Sequence, residues 1–162
     1  MCVRQKAAYE IEYGLVGSEM CIRDRTITIA APPDRVWAIA TDFDHYPDWA
    51  KDVKDVIVRV RDDQGRPVEV EYRASALGRS THYTLVYDYS KAPAVLTWHM
   101  LRGDIMRTID GTYNFSTTDD GGTEVRYDLA IDLVVPLPGF VKRRAEVRIL
   151  NTVRELKARA EG

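Results

Sequence analysis

From Val53 onward the hydrophobic period is two, interrupted only by short turns, and that feature leaves few folds open. VIVRVRD, VEVEYRASA, STHYTLVYDYS, AVLTWHMLR, RTIDGTYNFS and TEVRYDLAIDL alternate apolar and polar residues as strands do. The connections DDQGRP, LGR, SKAP, GD and TTDDGG have turn-forming compositions. Gaps this short admit no crossover helix, so the pattern predicts an antiparallel meander.

The alternation is one-sided. Val68, Val70, Tyr72 and Ala74 oppose Glu69, Glu71 and Arg73, and Val125, Tyr127, Leu129 and Ile131 oppose Glu124, Arg126, Asp128 and Asp132. A sheet with one wet face must cover the other. The cover available is VKRRAEVRILNTVRELKARAEG, a predicted helix of about 20 residues. Its apolar stripe is Val141, Ala145, Ile149, Val153, Leu156 and Ala160. A curved sheet gripping this helix is the economical solution.

Ahead of the meander, TITIAA reads as a further strand, bringing the expected total to about seven. Pro33 suits the first turn of a helix carrying Val36, Trp37, Ile39 and Ala40. Asp44 and Pro47 break that helix, and HYPDWA predicts a second short helix or turn. The expected class is α+β.

Length and charge set the outer bounds. The chain has 162 residues, the size of one domain, and a net charge of -2, which advertises no nucleic-acid partner. No apolar run approaches the roughly 20 residues that cross a bilayer. Cys2 and Cys21 are the only cysteines, so the body after them holds no structural disulfide, cysteine–zinc site or cysteine nucleophile. A cytoplasmic location fits this usage.

Both cysteines lie in an opening stretch unlike the rest. LVGSEMCIRDR, residues 15–25, resembles a translated reading frame of a transposon-based sequencing-library adapter. RQKAAYEI upstream is close to a translation of the adjoining flow-cell primer, with Arg4 and Ala7 as departures. Residues 1–25 are accordingly expected to be a non-native, disordered tail, and residues 26–162 the functional domain.

Three ordered motifs carry a family resemblance. They are APPDRVWAIATDFDHYPDWAKDVKDVIV with its YP-x-W turn, RTIDGTYNFSTTDDGGTEVRYDL with its acidic-glycine hairpin, and PLPGFVKRRAE before the last helix. Together they resemble the START-related (SRPBCC) superfamily, within it the polyketide cyclase/dehydrase and coenzyme-Q-binding group. The resemblance spans residues 26–161 and implies a helix-grip fold. It further implies a cavity between sheet and long helix for a lipid, quinone or polyketide, without a metal or obligatory cofactor.

Strict alternation aims Tyr72, Tyr83, Leu85, Tyr87, Leu96, Trp98, Met100, Ile109, Tyr113 and Phe115 inward, and the helix adds Ile149 and Val153. Aromatic rings and Met with a few hydroxyl tips are what an apolar pocket uses. The alternative is plain core packing, yet several phenols converging in a dry core are hard to satisfy. The expected function is binding or transport of a hydrophobic small molecule. Transient membrane contact is compatible with it, and the oligomeric state is not readable.

The histidines offer little. Alternation sends His82 and His99 outward beside Thr84 and Thr97, and His45 sits in a turn. No spacing points to a metal site, and DDQG and DDGG read as turns rather than calcium loops. No catalytic residue is assigned. The rival function, a polyketide cyclase/dehydrase (aromatase), needs an inward cation or base; Arg73, Arg107 and His99 are the candidates. Arg73, Arg102 and Arg107 could also donate to a ligand head, with Asp110 orienting one of them. A protein-interaction module is the third class, and a large exposed apolar patch would mark it.

Overall fold

The computed structural model of the chain describes residues 20–76, 79–133 and 151–162. Strand β1 (Met20–Ile29) leads to helix α1 (Pro33–Ala40), a 3-10 turn (Phe43–His45) and the four-residue helix α2 (Tyr46–Trp49). The meander follows as β2 (Val53–Arg61), β3 (Pro67–Ala76), β4 (Arg79–Asp88), β5 (Val95–Gly103), β6 (Met106–Thr117) and β7 (Thr123–Leu133). Each expected strand is present to within a few residues.

The seven strands form one sheet in the order β1-β7-β6-β5-β4-β3-β2, and every pairing is antiparallel. The meander is therefore a ladder of hairpins, and α1 and α2 carry the chain from one sheet edge to the other. The acidic-glycine loops close two of those hairpins. Gly65 and Gly121 take φ of 81° and 86°, the left-handed region that a side chain resists. The Asp62 carboxylate accepts the backbone N–H groups of Gln64 and Arg66, both at 2.9 Å, so it builds a turn.

α1 begins as expected, with Pro33 in its first turn, and it buries Val36 and Ala40. The C-terminal residues 151–161 are helical and bury Val153, Leu156 and Ala160, half of the predicted stripe. Val141, Ala145 and Ile149, the other half, lie outside the described residues, as does PLPGF. The helix end is tied across the fold by polar contacts. The Arg35 side chain donates to the Ala160 carbonyl at 2.7 Å, Lys157 Nζ to the Thr28 carbonyl at 2.8 Å, and the Ala30 N–H to Glu161 at 2.7 Å. Fully buried Ile29, Val36, Phe43, Leu96 and Leu156 each contribute about 1.5–3 kcal/mol through burial.

One boundary differs from expectation. β1 opens at Met20 rather than Thr26, pairing Met20 with Asp132 through Arg25 with Tyr127 before the expected segment begins. The physical reason is that an edge strand is joined by backbone N–H and C=O groups, which any non-proline residue supplies. Arg126 adds an exposed ion pair to Asp24 at 3.2 Å. Residues 1–19, the remainder of the expected tail, lie outside the described residues.

Candidate functional site

The inward face of the sheet is a nearly unbroken field of rings. The antiparallel register sets Tyr72 opposite Tyr83, Leu85 opposite Met100, Tyr87 opposite Trp98, and Tyr113 opposite Tyr127. Trp98 lies opposite Gly111, which has no side chain, and its indole covers that glycine. Trp98 then meets Tyr113 at 5.1 Å between ring centroids and Tyr127 at 6.1 Å, and the two tyrosines stack at 5.1 Å. On the other flank Tyr72 and Tyr83 stack at 5.3 Å.

All of the sequence-predicted residues in the described part face this side. Tyr72, Leu85, Tyr87, Leu96, Trp98, Ile109, Tyr113, Phe115 and Val153 are buried, while Tyr83 and Met100 are half-buried. Ile149 lies outside the described residues. Further ring residues that alternation did not single out as site residues join the cluster, Trp37 on Phe115 at 5.6 Å among them. Phe43 packs on Tyr87 at 4.3 Å, Tyr46 lies 6.4 Å from Tyr72, and Tyr127 completes the stack with Tyr113. Tyr127 was visible in the β7 alternation, whereas Phe43 and Tyr46 sit in short helical turns that carry no period.

The phenols are partnered unevenly. Tyr72 and Tyr87 join hydroxyl to hydroxyl at 2.7 Å, and Tyr46 donates to the Ala40 carbonyl at 2.5 Å. The hydroxyls of Tyr83 and Tyr127 make no hydrogen bond to a described residue. Burial pushes the phenols of Tyr46, Tyr72, Tyr87 and Tyr127 well above their ordinary range. It raises Tyr113 too, against a weaker pull from Tyr46. Tyr83 is pushed up to about 12, first by burial and then by the nearby Asp52 charge. At neutral pH these groups are therefore uncharged donors and acceptors, not bases.

Charged candidates lie on the opposite face. Arg73 pairs with Asp55 at 2.9 Å and Arg107 with Asp132 at 3.5 Å, with both arginines solvent-accessible. Arg102, His82, His99 and Asp110 are exposed. Register shifts occur in both relevant strands, skipping Leu101 in β5 and Arg107 in β6, but neither turns His99 inward. His99 and Asp110 instead border an outer groove of about 420 Å³ with Asp88 and Asp128. His45 is exposed and bonds Asp42 at 2.8 Å, which raises its pKa above the ordinary value. Among the described residues no cluster of His, Cys, Asp or Glu has metal-holding geometry, and no helix is long and apolar enough to cross a membrane.

Comparison with known proteins adds a family and a fold. The family model described as polyketide cyclase/dehydrase and lipid transport matches residues 20–161. No curated protein matches the sequence. Among solved structures, a START superfamily protein from Mycobacterium smegmatis is 21% identical with a TM-score of 0.79, covering 86% of this chain and 97% of that one. The Zhui aromatase/cyclase from Streptomyces sp. R1128 is 20% identical with a TM-score of 0.73, covering 88% of this chain and 94% of that one. The di-domain ARO/CYC StfQ is 15% identical with a TM-score of 0.66, covering 86% of this chain and 44% of that one. Likeness at such identities establishes the helix-grip fold.

Proposed function

We propose that this chain, which belongs to the polyketide cyclase/dehydrase and lipid transport family, binds a hydrophobic small molecule against the inward face of its sheet. The ligand classes are a lipid, a quinone or a polyketide, and the site comprises Tyr72, Tyr83, Leu85, Tyr87, Trp98, Met100, Ile109, Tyr113 and Phe115 with Val153 of the C-terminal helix. The observation that carries this reading is the uneven partnering of the phenols. Tyr83 and Tyr127 present hydroxyls without a described hydrogen-bond partner beside an apolar field, free to donate. A ligand carbonyl or ether oxygen would accept from them.

The magnitudes suffice for a carrier. A ligand burying roughly 300 Å² of apolar area gains about 7 kcal/mol before association costs of several kcal/mol. Micromolar affinity needs no covalent step. Motion of the YPDW turn would admit the ligand. The cysteine-free body fits work in a reducing cytoplasm.

The aromatase/cyclase reading draws on the printed activity of a structural neighbour. It requires an inward cation or base, and Arg73, Arg107 and His99 face outward among the described residues. Binding is therefore preferred. An interaction module draws less support, because exposed Ile57, Val60 and Leu101 are split between β2 and β5. Delipidated protein titrated with quinones, fatty acids and aromatic polyketides tests the proposal. Saturable binding to one of them is expected; none, together with a crystal structure showing a solid core, would reject it.

A further inference from the structure

A second opening lies away from the sheet. A cleft of about 680 Å³ separates the end of α2 from the C-terminal helix, lined by Trp49, Lys51, Asp52, Arg154, Glu155 and Arg159 among others. Its charges are unequal in availability. Glu155 accepts the Lys51 backbone N–H at 3.4 Å, and both Asp52 and Glu155 are engaged in further interactions. The side chains of Lys51, Arg154 and Arg159 are exposed and form no ion pair with a described residue. Three exposed cations from two distant parts of the chain thus line one cleft beside two acids that have other partners, which leaves the cleft a net positive lining.

A chain of packed rings runs from the wall of the cleft to the ring field. Half-buried Trp49 packs on Tyr46 at 4.7 Å, and Tyr46 leads to Tyr72 and then Tyr83.

From this we infer that the ligand is amphipathic and anionic: Lys51, Arg154 and Arg159 hold its carboxylate or phosphate head in the cleft, while its apolar body lies along Trp49, Tyr46 and Tyr72. The inference rests on the binding function proposed above and narrows its ligand class. Cations at a cleft attract an anion over about 10 Å at moderate salt and hold it more tightly than a neutral group of equal length.

The test compares decanoate with 1-decanol by calorimetric titration at neutral pH, in wild type and in the Lys51→Gln/Arg154→Gln/Arg159→Gln variant. Decanoate is expected to bind roughly tenfold more tightly than the alcohol, since several partly exposed ion pairs add modestly. That preference should shrink toward unity in the variant and at high salt, while alcohol affinity stays within about twofold, which also reports that the variant is folded. Equal binding of acid and alcohol in wild type would overturn the anionic head while leaving the apolar site standing. A preference that survives in the variant would overturn the assignment to these cations. Binding of neither probe would overturn this inference, while saturable binding of a quinone or an aromatic polyketide in the titration above would leave the binding function standing.

Discussion

The hydroxyls of Tyr72 and Tyr87 bond to each other at 2.7 Å beneath the aromatic field, each the other's partner in a buried setting. Removing one phenol strands the other. Tyr72→Phe or Tyr87→Phe is predicted to lower stability by about 1–3 kcal/mol. The double variant should cost less than the sum, because no orphaned hydroxyl remains. Urea unfolding of all four proteins measures the coupling; strict additivity would deny the pair.

Trp98 depends on an absent side chain. A Cβ at Gly111 would collide with the indole ring atoms. Gly111→Ala is predicted to cost about 1–3 kcal/mol as overpacking. It should also displace Trp98 from Tyr113 and Tyr127, shifting indole fluorescence. An unchanged spectrum and midpoint would mean the ring has somewhere else to go.

Tyr127 separates packing from ligand contact. Its ring is stacked but its hydroxyl has no described partner, so Tyr127→Phe should leave the unfolding midpoint nearly unchanged. Ligand affinity should fall about three- to tenfold, the worth of one hydrogen bond. The outer-face variants Arg73→Gln and His99→Gln should leave affinity within about twofold. A reversed ranking would move the site to the other face.

Alkaline pH probes the same phenols. Folded-state pKa values above the ordinary 10.0 mean that the native state holds these protons more tightly than the unfolded chain. Their contribution is fully present below pH 10 and is lost as pH rises through the folded values, about 12 for Tyr83. Absorbance titration should therefore show tyrosine ionisation above pH 10 coinciding with loss of structure by circular dichroism. Ionisation near pH 10 in a still-folded protein would place these rings in water.

Truncation tests the strand boundary. Among the described residues pairing with β7 runs from Met20, so deletion of residues 1–19 is predicted to leave the melting temperature unchanged. Deletion of residues 1–25 removes the pairs from Met20–Asp132 to Arg25–Tyr127 and should lower it. Equal melting of both truncations would restore the boundary to Thr26.

Much of this fold was legible because period-two alternation is a local signal. Val68, Val70, Tyr72 and Ala74 declare their face without knowledge of any neighbour, and burial follows it. Pro33 likewise announces α1. Two things were not local. Phe43 and Tyr46 reach the ring field from turns too short to show a period, so only the returned chain reveals their place. The cleft joins Lys51 to Arg154 and Arg159, about a hundred residues apart, and in the sequence those arginines read as a solvated helix face. The start of β1 escaped notice for a different reason: edge pairing depends on the backbone, and the side chains of that stretch resemble something else.

The central claim is that the inward ring face holds the ligand, and its most direct test is aromatic-ring NMR of the delipidated protein during titration with a binding quinone, fatty acid or polyketide. Saturating shifts concentrated on Tyr72, Tyr83, Tyr87, Trp98 and Tyr113, with His82 and His99 unmoved, are the predicted result. Shifts confined to the two histidines and their outer face, with the inward rings silent, would contradict it.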